Sequence, residues 1–189
     1  MSIKADKVLD CQGLSCPMPI VRTKKAIEEL QPGQVLEIQA TDRGSLADLQ
    51  GWAKSTGHHY LGTKEEGDVL IHYVRKADPG EVKPETKFPH VIPNEELAQM
   101  LNQEDVTILD VREPAEYAFG HIPGARSIPL GELEDRLQEL NPEETIYVVC
   151  RTGNRSDMAA KILADKGFKK VFNVVPGMSE WNGPTEKEI

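Results

Sequence analysis

The chain has 189 residues, 22 basic and 31 acidic side chains, three cysteines and a formal charge of −9. That length holds one ordinary domain or two small ones, and the mixed apolar and charged composition is that of a globular protein. Three sparse cysteines without a paired C-x-x-C element exclude a disulfide scaffold and a zinc ribbon. No apolar run is long enough for a membrane span. The charged N-terminus shows no secretory signal, so a cytoplasmic protein is expected.

The charge is unevenly spread. Residues 1–80 carry 10 basic and 11 acidic groups, whereas residues 81–189 carry 12 and 20. Neither half offers a basic nucleic-acid surface, so no direct nucleic-acid partner is expected. The composition changes at Lys76–Phe88, where Pro79, Gly80, Pro84 and several charges interrupt every apolar period, and Pro89 follows. The stretch reads as a linker over 77–88 between domains at 1–76 and 89–189.

The first domain reads β-α-β-α-β-β. Val8 and Leu9 close a short strand, and Ile20, Thr23, Ile27 and Leu30 make a helical face that Gln31-Pro-Gly33 stops. Leu36, Ile38 and Ala40 alternate as a strand. Leu46, Leu49 and Ala53 form a second helical face ended by Gly57, and a hairpin follows around Lys64–Gly67. A two-layer sandwich with both helices on one face is expected. In the second domain, Val106–Leu109, Thr145–Val149 and Val171–Val175 are β-branched runs of the kind buried on both faces. Helical patterns at Glu95–Leu101, Leu133–Leu140 and Ser156–Lys166 lie between and after them. That order predicts a parallel α/β sandwich with its site at the carboxyl ends of the strands.

Two cysteines stand at strand-loop-helix positions. Cys150 opens Cys150-Arg-Thr-Gly-Asn-Arg155, where backbone N–H groups can converge on an anion and two guanidinium groups stand nearby. A nucleophilic thiolate is expected there. Gly153 allows the loop to curl. Arg151 is expected to orient an anionic donor, with Thr152, Gly153 and Asn154 completing the cradle. Arg155 is expected to brace the loop against Asp110 or Glu113, and Asp110 and Arg112 to tie down the neighbouring loop. Cys16 precedes Pro17, which reads as the first helical residue. Cys16 is thereby expected at the N-cap, where the dipole favours thiolate. Cys11 reads as a strand-end residue, or alternatively as a resolving thiol that ends in a Cys11–Cys16 disulfide. His58, His59 and His72 read as strand surface rather than metal ligands.

Residues 89–189 resemble a single-domain rhodanese. The motifs are Leu109-Asp-Val-Arg-Glu113, Glu116–Ala125, the Cys150 loop and Gly177-Met-Ser-Glu-Trp181. Four residues separate Cys150 from Arg155, one fewer than in the phosphatases that share the fold. Residues 7–75 resemble the TusA-like (SirA-type) sulfur carriers through Gly13-Leu-Ser-Cys-Pro-Met-Pro19, Lys24-Lys-Ala26 and Thr41-Asp42. The resemblances imply a sulfurtransferase that takes sulfane sulfur from thiosulfate or a low-molecular-weight persulfide onto Cys150. They also imply a relay to Cys16 and on to a protein or thiol acceptor. The intermediates are covalent persulfides, with no cofactor, no metal and no membrane partner. An independent rhodanese with a docking domain, and a non-catalytic carrier, are the other readings.

Overall fold

The computed structural model describes residues 3–79 and 88–188. The chain divides into two compact units, residues 1–79 and 80–188. Most of the linker expected at 77–88 lies outside the described residues.

The first unit runs β1 (Lys7–Cys11), α1 (Met18–Glu28), β2 (Val35–Ala40), α2 (Ser45–Thr56), β3 (His59–Glu66) and β4 (Val69–Arg75), the order read from the sequence. The sheet order is β1-β2-β4-β3. β1 pairs parallel with β2, and the other pairs are antiparallel. Cys11, Leu36, Ile38 and Val74 from the sheet meet Ala26, Ile27 and Leu49 from the helices in one apolar cluster. Two β-strands joined through α1 can lie parallel only because the helix crosses the sheet face. That crossover puts the β1–α1 loop, with Cys16, beside the β2–α2 loop.

The second unit runs β5 (Val91–Pro93), α3 (Asn94–Ala98), β6 (Val106–Asp110), α4 (Pro114–Ala118), β7 (Arg126–Ser127), β8 (Thr145–Val149), α5 (Asn154–Asp165) and β9 (Val171–Val175). Its sheet order is β5-β9-β8-β6-β7, every pair parallel. Alternate residues of β8 feed two clusters. Ile146 and Val148 pack with Ala159 and Leu163 of α5, while Tyr147 and Val149 pack with Leu97 and Tyr117 on the other face. Both faces are covered, which is why these strands lack polar alternation.

The expected helix at Leu133–Leu140 is instead two 3-10 segments, Leu130–Glu132 and Glu134–Glu139, broken at Arg136. Leu133, Leu137 and Leu140 keep the helical spacing and pack on the core. No helix among the described residues is long and apolar enough to cross a membrane.

Candidate functional site

Cys150 follows β8 directly, and Gly153, at φ 97°, turns the chain into α5. A residue with a Cβ would be strained at that angle. The turn aims the Gly153 N–H at Cys150 Sγ, 3.1 Å away. Ser156 Oγ lies 3.2 Å from the same sulfur and donates to Asn173 Oδ1 at 2.5 Å. Asn173 Nδ2 in turn donates to the Gly153 carbonyl at 3.2 Å. Cys150 is fully buried, while Arg151, Thr152 and Asn154 around it are partly exposed. Thr152 Oγ1 is buried without a hydrogen-bond partner among the described residues.

The loop is held from behind. Met178 N donates to the Cys150 carbonyl (2.8 Å) and Ser179 N to that of Arg151 (3.0 Å). Gly177 sits between Asn94 Nδ2 and Oδ1, which bond its carbonyl and its N–H. At the side, Arg155 forks onto Glu116 at 2.7 and 3.1 Å. Glu116, a residue the sequence reading did not assign to this role, thus braces Arg155. Asp110 is occupied by Arg112, whose Nε and Nη2 reach it at 3.0 and 2.7 Å and whose Nη2 also bonds the Gly120 carbonyl. Glu113 caps α4 in a box with Glu116. Both ion pairs are largely buried, so they set geometry more than they add stability.

Cys16 is exposed and its setting is different. The β1–α1 loop is pinned by Thr41-Asp42: Gly13 N donates to Thr41 Oγ1 at 2.9 Å, and Cys16 N donates to Asp42 Oδ2 at 2.8 Å. Helix α1 opens one residue later than expected, with Pro17 rather than Cys16 at the cap. The Cys16 sulfur donates to Asp48 Oδ2 at 2.9 Å. That hydrogen bond, followed by partial desolvation and the charges of Asp48 and Asp42, pushes the Cys16 thiol up from its ordinary pKa. The Asp48 and Asp42 carboxylates thus oppose the dipole-favoured thiolate expected beside a helix start.

Cys11 is fully buried in the first unit's core, and burial raises its thiol pKa. A resolving role fails on access and on thiolate character. His72 is also fully buried, not on a strand surface. Ser45 Oγ meets its Nε2 at 3.0 Å, and Tyr60 and Thr63 hydroxyls meet its Nδ1 at 2.8 and 2.9 Å. Among the described residues no cluster could hold a metal ion.

Sequence reasoning missed Ser156, Asn173, Glu116 and Asp48. Asn173 carried a usable signal, since a polar residue inside Val171-Phe-Asn-Val-Val175 must find a buried partner. Asp48 carried none, lying 32 residues from the sulfur it meets.

A cysteine cradled between a parallel strand and a helix, on one chain with an exposed cysteine in a β-α-β-α-β-β unit, defines a sulfur-handling class. Two family models match: Sulfurtransferase TusA over residues 7–76 and Rhodanese-like domain over residues 93–184. YrkF of Bacillus subtilis, provisionally named a sulfur carrier protein, is 52% identical over 184 residues, covering 97% of this chain and 100% of that one. The thiosulfate sulfurtransferase GlpE of Pseudoalteromonas translucida is 30% identical over 102 residues, covering 54% of this chain and 96% of that one. A solved rhodanese-like domain protein of Staphylococcus aureus matches with 34% identity and TM-score 0.50, covering 53% of this chain and 99% of that one. The chain belongs to the family of two-domain sulfur-carrier proteins that join a TusA domain to a rhodanese-like domain. Sulfur transfer is its general activity.

Proposed function

We propose that Cys150 takes sulfane sulfur from thiosulfate or a low-molecular-weight persulfide and passes it through Cys16 to a protein or thiol acceptor. The Cys150 sulfur attacks the outer sulfur of the donor. The donor's S–S bond breaks, and sulfite or a thiolate leaves with the electron pair. The new persulfide on Cys150 carries its charge on the outer sulfur, near the loop amides. Arg151, partly exposed beside it, pairs with the donor's anionic group. Cys16 then attacks the outer sulfur of the Cys150 persulfide by thiol exchange. No cofactor enters these steps. The acceptor side involves a protein or small thiol, with no nucleic acid or membrane contact, in a cytoplasmic setting.

One observation carries the reading: the Cys150 sulfur already accepts the Gly153 N–H at 3.1 Å. A thiosulfate donor is supported by the similarity to GlpE, a thiosulfate sulfurtransferase. The test is intact-mass analysis after incubation with thiosulfate or glutathione persulfide. It uses the parent chain and the Cys16→Ser and Cys150→Ser variants. Sulfur on Cys16 from thiosulfate should require Cys150. Equal loading of Cys16 in Cys150→Ser by thiosulfate would reject the relay.

A further inference from the structure

We propose that Asp48 is a catalytic residue of the carrier unit, taking the Cys16 proton as sulfur arrives and returning it as sulfur leaves. The proposal rests on the reading of Cys16 as a sulfur-carrying cysteine.

The geometry singles out Asp48 from its neighbour. Asp42 spends both oxygens on backbone: Oδ2 accepts Cys16 N–H at 2.8 Å and Oδ1 accepts Gly44 N–H at 3.0 Å. Those two bonds hold the Asp42 carboxyl below the usual carboxylate range. Asp42 is therefore a fixed anion that shapes the loop and does not accept a proton. Asp48 projects from the first turn of α2, and its Oδ2 is the atom to which the Cys16 thiol donates at 2.9 Å. The resting state is thus a thiol hydrogen-bonded to a carboxylate. A thiol is a poor nucleophile until it loses its proton, and the carboxylate stands where that proton must go.

The step balances with no outside oxidant or reductant. Cys16 Sγ bonds the outer sulfur of a protonated donor persulfide, and the donor's S–S bond breaks with its electron pair left on the donor thiolate. The Cys16 proton, made acidic as Sγ bonds the incoming sulfur, moves to Asp48. The products are a Cys16 persulfide, a neutral Asp48 carboxyl and the donor thiolate. Discharge to an acceptor thiolate runs the same steps backwards: the Cys16–S bond to the outer sulfur breaks, and Asp48 reprotonates the Cys16 thiolate as it leaves.

The experiment reads two rates on full-length chains carrying Cys150→Ser, with and without Asp48→Asn. One is alkylation of Cys16 by iodoacetamide across pH 6–9, which follows the thiolate fraction. The other is loading of Cys16 by glutathione persulfide, followed by intact mass. An amide cannot hold the thiol proton, so Asp48→Asn should raise alkylation at neutral pH several-fold while loading falls about tenfold or more. Opposite signs distinguish a proton acceptor from a structural or docking residue. Asp48→Glu, which keeps the carboxylate, should keep alkylation slow and restore part of the loading. Loading unchanged or raised in Asp48→Asn, or alkylation unchanged, overturns the proposal. Absence of loading in every chain counts against Cys16 as a carrier, and the alkylation arm then decides alone whether Asp48 controls the proton.

Discussion

Gly177→Ala tests the claim that the Cys150 loop is positioned from behind. Gly177 has φ 111° and ψ −161°, a conformation open almost only to glycine. A Cβ there would stand 2.5 Å from the Cys150 carbonyl oxygen and 3.0 Å from that of Arg151. The glycine cannot retreat, because Asn94 holds its carbonyl at 2.9 Å and its N–H at 3.2 Å. Relief of the contact must therefore disturb the Met178 and Ser179 bonds to the loop, or the Asn94 clamp. Backbone strain of about 2 kcal/mol, with two weakened hydrogen bonds at about 1 kcal/mol each, gives about 4 kcal/mol. For a unit of this size that is a fall in Tm of about 15–30 °C. The chain has two tryptophans, Trp52 in the first unit and Trp181 in the second. A Trp52→Phe background makes fluorescence melting report on the second unit alone. Thiosulfate-to-cyanide sulfur transfer, measured well below the transition, should also fall at least tenfold, as expected of a displaced nucleophile. A melting point within about 2 °C of the parent would refute the assigned contact.

Glu116→Gln removes the carboxylate charge onto which the largely buried Arg155 forks. The second unit should lose about 3 kcal/mol, read by urea titration at fixed pH. Of the three thiols, only Cys16 is exposed, so a bulky maleimide should label one site per folded chain, located by peptide mapping. Label on Cys11 or Cys150 would contradict the burial. His72, fully buried, has its pKa lowered by desolvation from 6.5 to about 4. The unfolded chain then binds the extra proton first, so the first unit should lose stability as pH falls from about 6.5 to 4. His72→Gln should flatten that slope in thermal melts. The relay predicts intramolecular transfer: a tether of the length of residues 77–88 gives an effective concentration of about millimolar. Transfer in the parent should be independent of protein concentration, whereas a mixture of sulfur-loaded Cys16→Ser and empty Cys150→Ser chains should transfer in proportion to it.

Where burial and period agreed, the sequence was readable. β6, β8 and β9 stood out as β-branched runs because both their faces are covered. α1 was legible from Thr23 and Ile27, which bury on one side. β5 and β7 were not, since three and two residues are too few to show any period. The Cys150 loop was legible because its parts are contiguous, from the strand end through Gly153 to the helix start. Its supports lie elsewhere in the chain: Glu116 is 39 residues from Arg155, and Asn94 is 83 from Gly177. Local pattern carries no information about such pairs. The carboxylates around Cys16 were illegible for the same reason. A helix start was visible beside it, while the carboxylate that governs it belongs to another helix.

That difference bears on where sulfur rests. Cys150 Sγ accepts the Gly153 N–H, with Ser156 Oγ, whose proton goes to Asn173, beside it, whereas the group that meets Cys16 Sγ is a carboxylate, with a second one on the adjacent amide. A persulfide bears its negative charge on the outer sulfur. The Gly153 N–H lowers the free energy of that anion at Cys150, whereas at Cys16 it would stand near the fixed Asp42 anion and beside Asp48, which repels it unless Asp48 has taken the Cys16 proton. In the proposed relay, transfer from Cys150 to Cys16 is then expected to be uphill, and each factor of ten in the ratio corresponds to about 1.4 kcal/mol. A singly loaded chain at equilibrium should hold its sulfur mostly on Cys150, by peptide mapping. Cys16 then serves as a low-occupancy, high-transfer-potential position, and an acceptor thiol drives the flow by removing sulfur from it. Sulfur that accumulates on Cys16 without an acceptor would reverse this ordering and place the resting load on the carrier unit.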